Sequence, residues 1–127
     1  NDEDEILGSE ELLLTTASAI SIETVPEFVK KFGGVCFPAH IDRSSYSIIS
    51  ALGTFGEELN VKAFELTPDA DINEYLQKYP ATGGKLCLRN SDAHYLENMR
   101  LPENTIDLPE NSAPALIEYL KNFNASE

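Results

Sequence analysis

Gly33-Gly34-Val35-Cys36-Phe37-Pro38-Ala39-His40-Ile41-Asp42-Arg43 is an apolar run that ends in a histidine and a pair of opposite charges. The two glycines release the chain from a preceding helix, residues of strand propensity follow, and Pro38 forbids further ladder pairing through its own nitrogen. The run predicts a strand over Gly34 to Phe37, with His40 just past its carboxyl end. The pattern recurs at Lys85-Leu86-Cys87-Leu88-Arg89, a second buried strand by composition, which leads straight into Asn90-Ser91-Asp92-Ala93-His94. His40 and His94 are the 2 histidines of the chain. Both are expected just beyond strand carboxyl ends, where parallel sheets face their ligands.

Working outward, the flanking segments read as alternating helices and strands. Ser21 is the N-cap candidate of a helix in which Val25, Phe28, Val29 and Phe32 recur at i, i+3, i+4 and i+7, with Pro26 in its first turn and Gly33 as its left-handed end. That apolar face is expected to pack on a sheet. Tyr46 to Leu52 predicts a helix with Tyr46, Ile49 and Leu52 on one side. Lys62 to Thr67 reads as a strand ended by Pro68, Asp71 as the cap of a helix to about Tyr79, and Thr105 to Leu108 as a last short strand. Ser112 opens a final helix carrying Leu116, Tyr119, Leu120 and Phe123. Before all of these, Asn1 to Glu5 reads as loose acidic chain, and Ser9 as the cap of a short helix from Glu10 to about Thr16. Residues 1–20 are thus an acidic lead-in with a short helix, and 21–127 form the domain proper.

Strands near residues 35, 63, 86 and 106 alternating with helices predict an α/β fold of about four parallel strands, about half of an eight-stranded barrel. A half-barrel has two exposed sheet edges, which favours a homo-oligomer paired edge to edge. The 127 residues carry 9 Lys and Arg against 22 Asp and Glu, a net charge of -13, so the surface repels nucleic acid and anionic membrane. No apolar run is long enough to cross a bilayer. Cys36 and Cys87 both fall in the expected buried strands and read as inert free thiols of a reducing compartment, the cytoplasm. The acidic start without Met reads as that of an excised or processed piece.

Neutral imidazole and ionised carboxylate are ligands for zinc, manganese or iron, and catalytic sites keep one position open for water. Asp92 and His94 are separated by one residue, so in an extended loop their side chains point the same way and can share a metal or feed adjacent ones. His40, at the equivalent end of another strand, is the third candidate ligand. Arg43 carries a guanidinium suited to a phosphate or carboxylate, or to a salt bridge with a nearby acid. Glu65 either reaches the same cleft or is an ordinary solvent-facing strand acid. Ser91 either positions water or satisfies loop backbone.

At these residues the chain resembles the PHP (polymerase and histidinol phosphatase) superfamily, closest to bacterial PHP-domain phosphoesterases. The resemblance is carried by Pro38-Ala39-His40-Ile41-Asp42-Arg43-Ser44-Ser45-Tyr46-Ser47 and Ser91-Asp92-Ala93-His94-Tyr95-Leu96, and extends over the Ile22 to Gly34 helix and the Asn60 to Leu66 strand. It implies the carboxyl-terminal portion of a distorted (βα)7 TIM-like barrel that holds up to three divalent metal ions and hydrolyses phosphate esters with metal-activated water. By position it makes His40, Asp92 and His94 metal ligands, each to a different ion. The family's opening His-x-His pair, further early histidines and bridging glutamate have no counterpart here, which leaves about one ligand per ion and implies a missing N-terminal half.

Two classes of function follow. One is part of a metal-dependent phosphoesterase acting on a small phosphate ester, with Asp92, His94 and Arg43 as the catalytic groups and the isolated piece inactive. The other is a non-catalytic α/β module that binds a protein partner through its acidic surface or sheet edge. A variant of the first, a mononuclear site hydrolysing another bond such as an amide, needs His40, Asp92 and His94 each within roughly 2 Å of one ion.

Overall fold

Four consecutive residues, Ala63–Leu66, are all buried and form β1, the centre of the molecule. The computed structural model describes residues 5–13, 16–102 and 105–125. Alternation along β1 sends Phe64 and Leu66 to one side, where they join Ile41, Ile48, Phe55, Leu59, Val61 and Tyr79 in the larger apolar cluster. Ala63 faces the other side and meets Leu88 and Leu120, with Val35 and Phe37 packed alongside. Burial of one large side chain such as Phe64 contributes about 1.5–3 kcal/mol, so this strand anchors the fold.

β2 (Leu86–Arg89) lies parallel to β1 in the register Ala63↔Leu86 to Leu66↔Arg89. The connection between them carries α3 (Ile72–Lys78), the crossover that parallel pairing requires. Asp71 caps this helix as expected, its carboxylate accepting from the Asn73 N–H at 2.9 Å. The Arg89 guanidinium, at the end of β2, donates to the carbonyl oxygens of Pro68 at 2.6 Å and Ala70 at 2.8 Å. It thereby satisfies backbone acceptors in the turn leaving β1 that lie outside the sheet ladder. The final helix, α4 (Ala113–Asn122), is capped by Ser112 and buries Leu120 beneath the sheet.

The two earlier helices are shorter than the periodicity suggests. α1 (Val25–Lys31) follows a single 3-10 turn at Ile22–Thr24, and Ser21 caps nothing because its hydroxyl bonds to the Glu23 carboxylate. Gly33 does close α1 in the left-handed conformation, φ 79°, with its N–H on the Lys30 carbonyl at 2.9 Å. The apolar face of α1 is only partly covered: Val25 and Val29 are half-buried, while the exposed Phe28 and Phe32 rings pack on each other at 5.3 Å. α2 (Ile48–Leu52) starts two residues later than expected, because Ser47 and Ser50 form a reciprocal capping box and Tyr46, at φ 56° and fully exposed, lies outside the helix.

The molecule is therefore mixed α/β with a two-stranded parallel sheet and, among the described residues, four α-helices. Two of the four expected strands are absent. Residues Gly34 to Phe37 run beside β1 without a ladder, since Pro38 has no N–H and His40 turns to φ 31°. His40 consequently gives its N–H to the Glu65 side chain, and Ile41 takes the Glu65 carbonyl instead, at 2.9 Å. Thr105 to Leu108 have no backbone bonds to β2 among the described residues and are not a strand. The short helix expected from Glu10 is also absent from described residues 10–13, where the Glu10 carboxylate folds back to accept the Leu12 N–H. An isolated turn with exposed Leu12 and Leu13 has no packing to stabilise it. Residues 1–4, within the expected loose start, lie outside the described residues. No helix among the described residues is long and apolar enough to cross a membrane.

Candidate functional site

Beyond the carboxyl ends of the parallel strands, two loops meet. The first follows the Gly34 to Phe37 segment and carries His40, Asp42 and Arg43; the second follows β2 and carries Asn90, Ser91, Asp92 and His94. The Arg43 guanidinium is 2.8 Å from Asp92 Oδ2, and His40 Nε2 is 4.0 Å from the same oxygen. His40 and Asp92 are mostly covered, with side-chain exposures of 16% and 28%, while Arg43 is 44% exposed and reaches in from the rim. Imidazole, carboxylate and guanidinium thus surround one point at the mouth.

Both polar corners rest on unusual backbone. His40 has φ 31° and Asp92 φ 48°, left-handed conformations that cost a non-glycine residue about 1–2 kcal/mol each. The left-handed Asp92 explains why the Asp-x-His pair does not act as an extended-loop pair. The Asp92 carboxylate turns toward His40 and Arg43, whereas the exposed His94 ring folds back so that Nδ1 lies 2.9 Å from the Asp92 carbonyl oxygen. A carbonyl only accepts, so Nδ1 is the donor in this contact, and in the tautomer this selects the lone pair lies on Nε2.

The loops are tied down by carboxylates. Asp42 Oδ1 accepts the Thr67 N–H at 2.8 Å and its other oxygen takes the Thr67 hydroxyl, which binds the His40 loop to the end of β1. Ser47 Oγ donates to the Arg43 carbonyl at 2.7 Å while capping α2. Glu65 is buried and faces inward, so the solvent-facing alternative does not apply. One of its oxygens accepts the His40 N–H at 3.2 Å and the other the Asn90 side-chain amide at 2.5 Å. His40 Nδ1 is buried with no hydrogen-bond partner among the described residues.

No protein-family model, curated protein or solved structure matches this chain. The site therefore stands on its own residues. Among the described residues no three His, Cys, Asp or Glu groups gather closely enough to hold one metal ion. A closed single-ion site of His40, Asp92 and His94 is not formed, and Arg43 takes an Asp92 oxygen that a cation would use. What the donors do fit is a partial set: an imidazole whose Nδ1 donates to a backbone carbonyl, as in His94, presents Nε2 in the way metal-bound histidines do.

Cys36 and Cys87 are free and half-buried, and burial pushes both thiols above their ordinary pKa. A raised thiol pKa is the opposite of what activates a cysteine nucleophile. Asn90 and Ser47 had no assigned role in the sequence. For Asn90 the available signal was an amide placed directly after a strand, opposite a strand acid; for Ser47 it was a serine ahead of the apolar Ile48-Ile49 pair.

Proposed function

We propose that the chain is the carboxyl-terminal part of a PHP-type, metal-dependent phosphoesterase acting on a small phosphate ester. The observation that supports this reading is the meeting of His40, Arg43 and Asp92 beyond the carboxyl ends of the parallel strands, with Arg43 at 2.8 Å and His40 at 4.0 Å from one Asp92 oxygen. In this reading the sheet is a portion of a distorted (βα)7 barrel whose missing N-terminal half supplies the remaining ligands. His40, Asp92 and His94 each offer one donor to zinc, manganese or iron, up to three ions in the intact domain. Such ions, when bound, polarise phosphoryl oxygens and lower the pKa of water.

The chain's own groups act around them. Arg43 sits half-exposed on a carboxylate that a cation would occupy, and once displaced its fork is free to hold a phosphate. Asp92 is the closing acid of the site, and the exposed His94, held through Nδ1 on the Asp92 carbonyl, offers Nε2 as its donor. The net charge of -13 suits a small phosphoester and disfavours a nucleic acid or an anionic membrane. The cytoplasm is the proposed compartment for its two free cysteines, and edge-to-edge self-association is the proposed assembly, tested by sedimentation.

The second reading, a non-catalytic interaction module, is favoured by one feature. A hollow of about 650 Å³ opens beside His40, lined by apolar side chains that include Val25, Phe37, Ile48 and Leu59. The readings separate on expression of the chain together with its upstream coding sequence. Stoichiometric bound metal and hydrolysis of a nitrophenyl phosphate, both lost in Asp92→Ala, are the expected results. Wild-type turnover in that variant removes the assigned role, and absence of metal and turnover in the longer protein leaves the interaction module.

A further inference from the structure

We infer that Glu65 is the positioning residue of the site, a single buried carboxylate that sets the distance between the two loops. Its oxygens do not share a partner. One takes the His40 N–H at 3.2 Å, in the loop of Arg43, and the other takes Asn90 Nδ2 at 2.5 Å, in the loop of Asp92. The backbone of Glu65 adds two bonds to the first loop, its N–H to the Pro38 carbonyl and its carbonyl to the Ile41 N–H, both at 2.9 Å. Of these four bonds from one residue, three define where the first loop lies relative to β1, and the fourth sets the second loop against it.

The physical reason for a charged group here is its reach and its demand. A buried carboxylate is costly unless every oxygen finds a donor, and at 8% exposure water supplies little of that need. Only a closed arrangement of both loops provides two donors at once. The same closure holds His40 and Asp92 in left-handed backbone, φ 31° and 48°, which persists when surroundings over-determine it. An apolar residue would fill the same space without demanding either loop. Each Glu65 oxygen takes a donor from one loop, His40 from the first and Asn90 from the second, so it acts through those loops.

This assignment rests on the reading that Arg43, His40 and Asp92 work as one site, and its test needs neither substrate nor metal. The readout is the coupling between Arg43 and Asp92, measured on the full chain by a double-mutant cycle of Arg43→Met and Asp92→Asn in urea unfolding. In the parent chain the pair is expected to change the folding equilibrium constant by about two- to fivefold beyond additivity. The cycle is repeated with Glu65→Gln, Glu65→Ala and Asn90→Ala. Gln keeps an acceptor for His40 and, with the Asn90 amide turned over, bonds its Oδ1, so the coupling is expected to survive. It is expected to vanish in Asn90→Ala, an exposed position that removes one donor and no core packing, which keeps the cycle readable even if Glu65→Ala does not fold. A merely structural Glu65 lowers stability and leaves the coupling unchanged in Asn90→Ala, which overturns the proposal. So does a coupling lost as fully in Glu65→Gln as in Asn90→Ala. Failure of the phosphoesterase reading shows instead as absent turnover with the coupling still present.

Discussion

Arg43 and Asp92 come from different loops, one after the Gly34 to Phe37 segment and one after β2, and their side chains meet at 2.8 Å between a guanidinium nitrogen and Oδ2. The pair links the two loops and places one of the 9 Lys and Arg of this acidic chain at the mouth. Because Arg43 is 44% exposed, the pair is a surface-type ion pair and contributes only about 0.2–1 kcal/mol.

Screening follows from that exposure. The stability difference between wild type and Arg43→Met is expected to narrow as salt is raised from low ionic strength to about 1 M, where the Debye length is about 3 Å. Urea midpoints at the two salt concentrations check this. An undiminished difference would mean that the pair is effectively buried.

Asp42 is a stronger structural tie. Asp42→Ala leaves the Thr67 N–H without its acceptor, so a loss of about 1–3 kcal/mol is expected, with a smaller loss in Asp42→Asn, which keeps one oxygen for that N–H. Equal destabilisation by Ala and Asn would show that the negative charge, rather than the acceptor, holds the loop.

The core has little redundancy around β1. Phe64 is fully buried and meets Phe55 edge-on at 6.1 Å, so Phe64→Ala is expected to cost about 3–5 kcal/mol. Against a total of about 5–15 kcal/mol for a small domain, this brings the chain near its unfolding limit, read as a lowered thermal midpoint and weakened near-ultraviolet dichroism. Leu96→Ala, at 85% exposure, is expected to stay within about 0.5 kcal/mol of wild type.

Acid sensitivity has an identifiable source among the described residues. Asp69 receives both arms of Arg100, at 3.0 and 2.8 Å, and this hydrogen bonding, then the charge itself, holds its carboxyl below the usual range. The unfolded chain therefore binds the proton more readily, and stability rises with pH through that window. The contribution is present above the unfolded value near about 3.9 and is lost as pH falls through the lower folded value. Arg100→Ala is expected to flatten the acid limb of the stability profile below about pH 4, and an unchanged limb would refute it.

Much of this was legible locally. Asp71 and Ser112 cap their helices, Gly33 ends α1, Pro68 follows β1, and the two strands of the sheet lie where apolar composition put them. These signals depend on a residue and its near neighbours, on a side-chain oxygen meeting a free N–H or a backbone without a Cβ. The strands expected at Gly34 to Phe37 and Thr105 to Leu108 failed because a strand exists only with a partner, and pairing is decided elsewhere in the chain.

The order of residues by itself determined which chemistry is available: two histidines, an Asp-x-His and an arginine following apolar runs, on a chain of net charge -13. Tertiary structure alone decided that Asp92 turns to Arg43 and His40 while His94 folds onto its own loop, and that Glu65 faces inward to hold both loops. The reason is that a left-handed φ at a single residue redirects a side chain, and what stabilises that conformation is a bond from a residue distant in sequence.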